Sequence, residues 1–109
     1  MSTTLPKITP SHLQLQEAIA YPDAGINSQV LFKDALSQCK LMCLAANTDL
    51  SEHTAPRNAT VQVVEGRGVF TLMGEDIDLE PGVFIVMPAG APHGVKATSN
   101  LAFLLTFSE

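Results

Sequence analysis

The chain is poor in charged and aromatic side chains. Its 109 residues include no tryptophan, one tyrosine and only 16% charged residues, whereas an average soluble domain has about 25% charged residues. The six basic side chains, set against eleven acidic ones, are scattered singly along the sequence. A nucleic-acid-binding surface needs a basic stripe, so this composition excludes nucleic acid as a partner. The apolar share of 46% excludes intrinsic disorder.

Long apolar runs are also missing. No segment approaches the ~20 apolar residues of a membrane span, and the first thirty residues lack the hydrophobic region of a signal peptide. We therefore expect a cytoplasmic protein with no membrane partner. A chain of 109 residues is long enough for one domain and too short for two.

The sequence has only two cysteines, Cys39 and Cys43, in the segment CKLMCLAA. This segment is typical of a strand, in which four steps separate the two α-carbons by about 13 Å, beyond the ~7 Å limit for a disulfide. We predict two free thiols on one face of the strand. The alternative, a redox or metal-binding pair, would normally have a two-residue gap.

Short apolar runs separated by turn residues fill the chain after residue 25. The runs are Gln29–Phe32, Leu41–Ala45, Thr60–Val64, Val69–Met73, Val83–Met87, Gly94–Ala97 and Leu101–Phe107. This pattern predicts an all-β fold of seven or eight strands, closed as a barrel or built from two antiparallel sheets. We assign residues 1–25 to an N-terminal arm and turn, with at most a short helix after Ser11, and residues 26–109 to a single β-domain.

Two of these runs, VFIVM and LAFLL, are apolar at consecutive positions instead of alternating with polar residues. Such strands are expected to be covered on both faces. In so short a chain the second cover is hard to find internally. We therefore expect a homodimer, in which a sister subunit covers one sheet.

Two of the three histidines lie in recognisable surroundings. His93 ends a spaced pattern formed with Gly82, Pro88 and Gly90, and His53 lies between Asn47 and Gly66 in a second pattern. With these spacings, residues from about 41 to 107 resemble the cupin superfamily, specifically its small single-domain members with one conserved barrel. Asn47 replaces a glycine of the family pattern, and asparagine is the other residue that readily adopts left-handed backbone.

The resemblance implies a jelly-roll β-barrel of two antiparallel sheets and a metal site of three histidines and one glutamate. Only His53 and His93 match that ligand set. Ala55 stands at the position of the second histidine and Ala59 at that of the glutamate. We expect His53 and His93 to bind a divalent metal ion, with the remaining coordination positions filled by water or a bidentate ligand.

Substitute ligands would have to come from other side chains. By strand alternation, Glu52 faces away from His53, and Gln62 faces away from Ala59. Glu65 lies in the turn before Gly66. The candidates for lining the barrel interior are Cys43, Met73 and Met87, each more often a packing residue. The acidic cluster Glu75, Asp76, Asp78 and Glu80 is interpreted as a solvated hairpin end that spans two tight turns. His12 has no motif, and Arg57 and Asn58 are either contacts for an anionic ligand or ordinary polar loop residues.

Two function hypotheses follow. The first is a barrel that binds a small molecule or a metal ion and acts as a sensor, storage or auxiliary protein. The alternative is a metal-dependent enzyme, such as an oxygenase, isomerase or lyase, acting on a small organic acid or sugar. The fold does not choose between the two, and the sequence identifies no catalytic residues.

Overall fold

The computed structural model describes residues 10–108, which form one short helix and nine strands. The elements are α1 (Leu15–Ala18), β1 (Ile26–Lys33), β2 (Ser37–Leu44), β3 (Asp49–His53), β4 (Asn58–Glu65), β5 (Gly68–Leu72), β6 (Glu75–Leu79), β7 (Phe84–Met87), β8 (His93–Ala97) and β9 (Leu101–Ser108). No helix within this part of the chain is long and apolar enough to cross a membrane.

The strands form two antiparallel sheets. The five-stranded sheet has the order β1-β2-β9-β4-β7, and the four-stranded sheet has the order β3-β8-β5-β6. Strands that are adjacent in a sheet are mostly distant in sequence, as expected when a chain winds back and forth between two sheets. The all-β, two-sheet prediction is confirmed.

The main core lies between the inner faces of the two sheets, where strand alternation brings buried side chains together. Its buried members are Leu44, Ala59, Val61, Val63, Phe70, Leu79, Ile85, Met87, Val95, Ala97, Leu101 and Phe103. Burial of this apolar surface is the principal force that closes one sheet over the other.

The acidic cluster is solvated, as interpreted from the sequence, but it lies along a strand between two turns instead of at a hairpin end. Glu75, Asp76 and Asp78 belong to strand β6, and only Glu80 follows it. The strand turns Leu79 into the core and leaves its carboxylates in solvent. Asp76 also accepts a hydrogen bond of 2.7 Å from the Thr71 hydroxyl on the paired strand β5.

The outer face of the five-stranded sheet carries a second, smaller core. Leu41, Cys43 and Ala102 are buried there beneath partly buried residues that include Ile19 and Tyr21 from the N-terminal segment. The prediction that the LAFLL run is covered on both faces is therefore confirmed over residues 101–103, which are all buried. The cover comes from the chain itself, which we had not expected.

The same prediction is wrong for the VFIVM run within a single chain. Strand β7 lies at the edge of its sheet, and its residues alternate between exposed and buried. Ile85 and Met87 face the core, whereas Phe84 is 58% exposed and Val86 is 64% exposed. The N-terminal segment covers the sheet at the middle strands and leaves this edge open.

The polar contacts that anchor the N-terminal segment between residues 10 and 25 include a partly buried hydrogen bond between two side chains. The Tyr21 hydroxyl donates a hydrogen bond of 2.7 Å to a carboxylate oxygen of Glu65. Burial, reinforced by this bond to Glu65, raises the pKa of Tyr21 well above its ordinary value, so the hydroxyl keeps its proton. The helix begins after Gln14, later than the Ser11 start considered from sequence. Residues 1–9 of the expected arm lie outside the described residues.

Both cysteines are free, as predicted from the sequence, and both are buried. They lie on strand β2, and Cys43 belongs to the outer-face core. The Thr106 hydroxyl donates to the Cys39 sulfur over 3.5 Å. These contacts make the two thiols packing residues of the five-stranded sheet.

Gly66 and Gly82 give a matched test of backbone packing, because their φ angles are +95° and +96°. A Cβ on Gly66 would collide with the backbone carbonyl of Asn100, whereas a Cβ on Gly82 would meet nothing within 4 Å. In both alanine variants, backbone strain should lower the free energy of unfolding by about 1–2 kcal/mol. For Gly66→Ala the free energy of unfolding should fall by about 1–3 kcal/mol more, because the turn after β4 must move away from the turn before β9. Urea unfolding measures the difference, and equal losses would contradict the close approach at Gly66.

Candidate functional site

The structure brings together His53 and His93, which lie forty residues apart in the sequence. They are directly paired across strands β3 and β8 of the four-stranded sheet. Their rings lie 4.3 Å apart between centroids, with an angle of 57° between the ring planes. His93 is only 8% exposed, whereas His53 is exposed to solvent. The pair therefore lies at the mouth of the barrel, with one ring inside and one at the rim.

Backbone carbonyls fix the proton position on both rings. Nδ1 of His53 lies 3.0 Å from the carbonyl oxygen of Ser51, and Nδ1 of His93 lies 2.9 Å from that of Ala91. A carbonyl oxygen can only accept, so each Nδ1 carries a proton and donates it. In the neutral form of a ring with this tautomer the lone pair is on Nε2, the arrangement typical of histidines that bind metal. Phe70 stacks on His93 at 5.8 Å with nearly parallel planes, which further restricts that ring.

An irregularity in strand β3 lets His53 reach the interior. The register between β3 and β8 shifts between Leu50 and His53, and both of these side chains line the same internal cavity. A regular strand would send residues three apart to opposite faces. Ser51 and Glu52 instead line a groove on the outer face of the sheet. The expectation that Glu52 faces away from His53 is confirmed.

The absence of a side chain at Gly94 allows strands β3 and β8 to approach each other beside the histidine pair. A Cβ at Gly94 would lie 2.9 Å from the backbone carbonyl oxygen of Leu50. That distance is shorter than real Cβ contacts tolerate. Any other residue at position 94 would force apart the strands that hold His53 and His93.

Hydrogen bonds join the two segments next to the histidines. The Asn58 side-chain oxygen accepts a hydrogen bond of 2.9 Å from the backbone N–H of Ala89, and Gly90 N–H donates to the carbonyl of Ala55 over 2.8 Å. Asn58 thereby contributes to positioning the loop that leads into His93. Of the two readings of Asn58, the structure thus favours an ordinary loop contact.

Arg57 also makes contacts within the protein. Its guanidinium lies 5.8 Å from the centroid of the Phe107 ring, and its Nη2 donates a hydrogen bond of 3.3 Å to the carbonyl of Leu36. These contacts tie the start of β4 to the end of β9 and to the turn after β1. The structure thus gives Arg57 a packing role.

Asn47 has the backbone conformation that the sequence predicted. Its φ is +70°, in the left-handed region where asparagine substitutes for glycine at modest cost. Its N–H donates to the carbonyl of Ala97 over 2.8 Å, at the turn between β2 and β3. This turn sets the start of the strand that carries His53.

The two histidines line a cavity of about 70 Å³ that extends into the barrel. Its other lining residues, within the part of the chain that the structure describes, are apolar: Met42, Leu50, Val61, Phe70, Met87, Val95, Phe103 and Leu105. At about 30 Å³ per water molecule, the space corresponds to roughly two waters. Pockets for drug-sized organic ligands usually enclose about 300–1,000 Å³, so this interior is far too small for one.

The substitute ligands considered from sequence are mostly directed elsewhere. Glu65 bonds Tyr21, Cys43 is buried in the outer-face core, and Met73 is 67% exposed. Met87 alone among these candidates lines the cavity. Among residues 10–108, no group of three or more His, Cys, Asp or Glu side chains is placed to hold a metal ion. The complete site of three histidines and a glutamate therefore does not fit this chain.

Sequence reasoning missed Met42 and Phe70 as residues of the site. Met42 faces the interior because it is paired with the core residue Phe103 on strand β9. Alternation along CKLMCL carried a usable signal, since Cys43 and Leu41 share the face opposite to Met42. The stacking of Phe70 on His93 had no signal in the sequence, because it depends on how β5 pairs with β8.

Asn58→Ala should free the loop before His93. Removing the side-chain acceptor should cost about 1 kcal/mol in the free energy of unfolding and speed hydrogen exchange at the Ala89 amide. Asn58→Asp keeps an acceptor oxygen and should retain the protection of Ala89. NMR-detected exchange measures both variants, with the Ala97 amide, which donates to the carbonyl of Thr48 outside this loop, as an internal reference. Unchanged exchange at Ala89 in Asn58→Ala would contradict this role.

Comparison with known families agrees with the fold and the motifs. The family model described as a cupin domain matches residues 40–107, which is well over half of the chain. A search of curated protein sequences gave no match.

Solved structures with the same fold include proteins of unknown function and an enzyme. A conserved protein of unknown function from Streptococcus pyogenes has 23% sequence identity and a TM-score of 0.82, covering 99% of this chain and 96% of its own. A cupin superfamily protein from Desulfitobacterium hafniense has 23% identity and a TM-score of 0.82, covering 97% and 95%. Salicylate 1,2-dioxygenase from Pseudoaminobacter salicylatoxidans has 20% identity and a TM-score of 0.73, covering 86% of this chain and 28% of its own. At these identities the similarity extends to the fold alone.

Proposed function

The chain belongs to the cupin domain family, and on that premise we propose that it binds a metal ion through Nε2 of His53 and Nε2 of His93. The observation that carries the proposal is the pairing of two rings whose Nδ1 atoms are both engaged by backbone carbonyls. Each ring offers its remaining nitrogen as a lone-pair donor. Water or a small bidentate molecule completes the coordination.

The size of the cavity supports a metal ion over an organic molecule as the occupant of the interior. A space of about 70 Å³ accommodates an ion and its water. A small organic ligand would have to bind from outside, at the rim where His53 is exposed. There it could reach the metal while most of its surface stays in the mouth of the barrel.

A divalent ion at this site needs an anionic partner. Both histidines are neutral ligands, and the rest of the described lining is apolar. An uncompensated double charge beside such a wall is strongly disfavoured by desolvation. A bidentate carboxylate ligand entering at the mouth would supply the missing negative charge as well as two donor oxygens.

The lining favours binding over catalysis. General acid–base chemistry needs a titratable side chain within hydrogen-bond reach of the reacting group. In the described lining of this cavity only His53 and His93 are titratable, and the proposal uses both as metal ligands. We therefore place binding, as in a sensor, storage or auxiliary protein, ahead of the metal-dependent enzyme.

Substitution of either histidine should weaken metal binding. His53→Ala and His93→Ala each remove one of two protein ligands, so the affinity for Zn²⁺ or Co²⁺ should fall at least about tenfold, or 1.4 kcal/mol. His12→Ala is the matched control, because His12 is the third histidine and lies exposed in the N-terminal segment. Isothermal titration with each ion, with and without a small dicarboxylate, measures the effect.

Failure of the parent protein to bind any ion under any loading condition would contradict the proposed metal site. A loss of affinity in His12→Ala as large as in the other two variants would contradict it as well. Circular dichroism of each variant separates loss of binding from loss of folding.

We also propose that the outer face of the five-stranded sheet forms a homodimer interface. Cross-strand pairing places exposed Phe32 on β1 and exposed Val86 on β7 at the two ends of one row across that face. Exposed Phe84 lies beside Val86, two residues away on the same strand. Between these two ends the row contains Cys39, Thr106 and Thr60, so the exposed apolar side chains are concentrated at the sheet edges. Grouped exposed apolar side chains are typical of a protein–protein interface.

Val86→Lys should convert the dimer into a monomer. A lysine at this position would place an unpaired charge within the apolar contact that Phe84 and Val86 form. Val69→Lys is the control, since Val69 lines the groove on the outer face of the other sheet. Sedimentation velocity at micromolar concentration measures the mass, and a monomeric parent protein would overturn the dimer.

A further inference from the structure

The residue paired with Ala59 on the neighbouring strand carries a thioether side chain. Met87 pairs directly with Ala59 across strands β7 and β4. Ala59 stands where the resemblance places a glutamate, and it is buried. Met87 is only 3% exposed, and its side chain lines the cavity shared with His53 and His93. In the complete ligand set this part of the cavity wall would carry a carboxylate. In this chain it carries the sulfur of Met87.

Met87 and His93 are held by the same short loop. Residues 88–92 connect them, with proline at both ends of that loop. Ala91 N–H donates to the carbonyl of Pro88 over 3.2 Å, and Gly90 N–H bonds Ala55 on the neighbouring loop. Restricted φ angles at the two prolines and these bonds limit the relative motion of the methionine and the histidine. A rigid support of this kind is what a preorganised ligand set requires.

From this placement we infer that the site selects a soft monovalent ion, Cu(I), held by His53, His93 and the Met87 sulfur. This inference rests on the proposed function, because it uses the same two histidines. Thioether sulfur is a soft ligand that favours Cu(I), whereas hard divalent ions prefer carboxylate and water oxygens. Imidazole binds copper readily as well.

The charge of the site leads to the same ion. Two neutral imidazoles and one thioether bring no negative charge, and the remaining described lining is apolar. The Born cost of removing an ion from water increases with the square of its charge, so a divalent ion costs about four times as much as a monovalent one. Cu(I) needs no anionic partner, and its preference for few ligands suits a cavity with room for about two waters.

The experiment compares Cu(I) and Zn²⁺ binding in the parent protein and in three variants. Cu(I) affinity is measured anaerobically with ascorbate, by competition against a chromophoric Cu(I) chelator, and Zn²⁺ affinity is measured by competition against a zinc dye. Met87→Leu removes the sulfur with little change in volume and should leave the fold intact. Met42→Leu is the matched control, because Met42 lines another wall of the same cavity. His93→Ala tests the proposed function itself.

We expect one Cu(I) per chain, bound at least about a hundredfold more tightly than Zn²⁺ without added carboxylate. Met87→Leu should weaken Cu(I) binding at least about tenfold and change Zn²⁺ binding less than about threefold, while Met42→Leu should change neither by more than about threefold. X-ray absorption at the copper edge should show a sulfur scatterer that disappears in Met87→Leu.

Each contrary outcome has a distinct meaning. Unchanged Cu(I) affinity in Met87→Leu, or an equal loss in Met42→Leu, would overturn the assignment of Met87. Zn²⁺ binding as tight as Cu(I), lost in His93→Ala, would overturn the choice of ion and leave the two-histidine site standing. If neither ion binds, or if binding persists in His93→Ala, the proposed function fails together with this inference.

Discussion

The pairing of strand β3 with strand β8 is the contact on which the candidate site depends. It sets His53 directly opposite His93 and depends on two local features. A register shift after Leu50 turns His53 inward, and the absence of a side chain at Gly94 lets the two backbones approach. The hydrophobic core behind the sheet holds this arrangement, since Phe70 both packs in the core and stacks on the His93 ring.

The apolar interior gives the site its chemical character. A cavity with two imidazoles and no carboxylate among its described lining is unlike a complete site of three histidines and one glutamate. Alanine at positions 55 and 59 removes donors, and Met87 adds a soft one beside Ala59. The two alanines reduce the number of ligands that the protein offers. They also disfavour an ion of high charge, because a charge without a counter-charge is costly next to apolar walls. This coupling connects core packing to the proposed choice of metal.

The apolar side chains of the described residues fall into three groups. One group forms the core between the sheets, and another forms a second core under the N-terminal segment, where Tyr21 bonds Glu65. A third group is exposed, and it includes Phe84 and Val86 at the sheet edge. The sequence predicted double-sided burial for both VFIVM and LAFLL. It had no means of showing that the chain's own N-terminal segment covers one run and stops short of the other, because that depends on contacts between distant segments.

Local patterns in the sequence were sufficient for the all-β fold, the free cysteines, the left-handed turn at Asn47 and the outward direction of Glu52. Each of these follows from strand alternation, from the distance that a disulfide can bridge or from backbone preference, and all three depend on only a few neighbouring residues. Strand β6 was missed because its carboxylates look like a turn until β5 pairs with it and buries Leu79. Only the tertiary structure decided that His53 and His93 are neighbours, that Glu65 is engaged elsewhere and that Met87 faces their cavity. Those relations arise from the register between strands far apart in the chain, which local preferences do not specify.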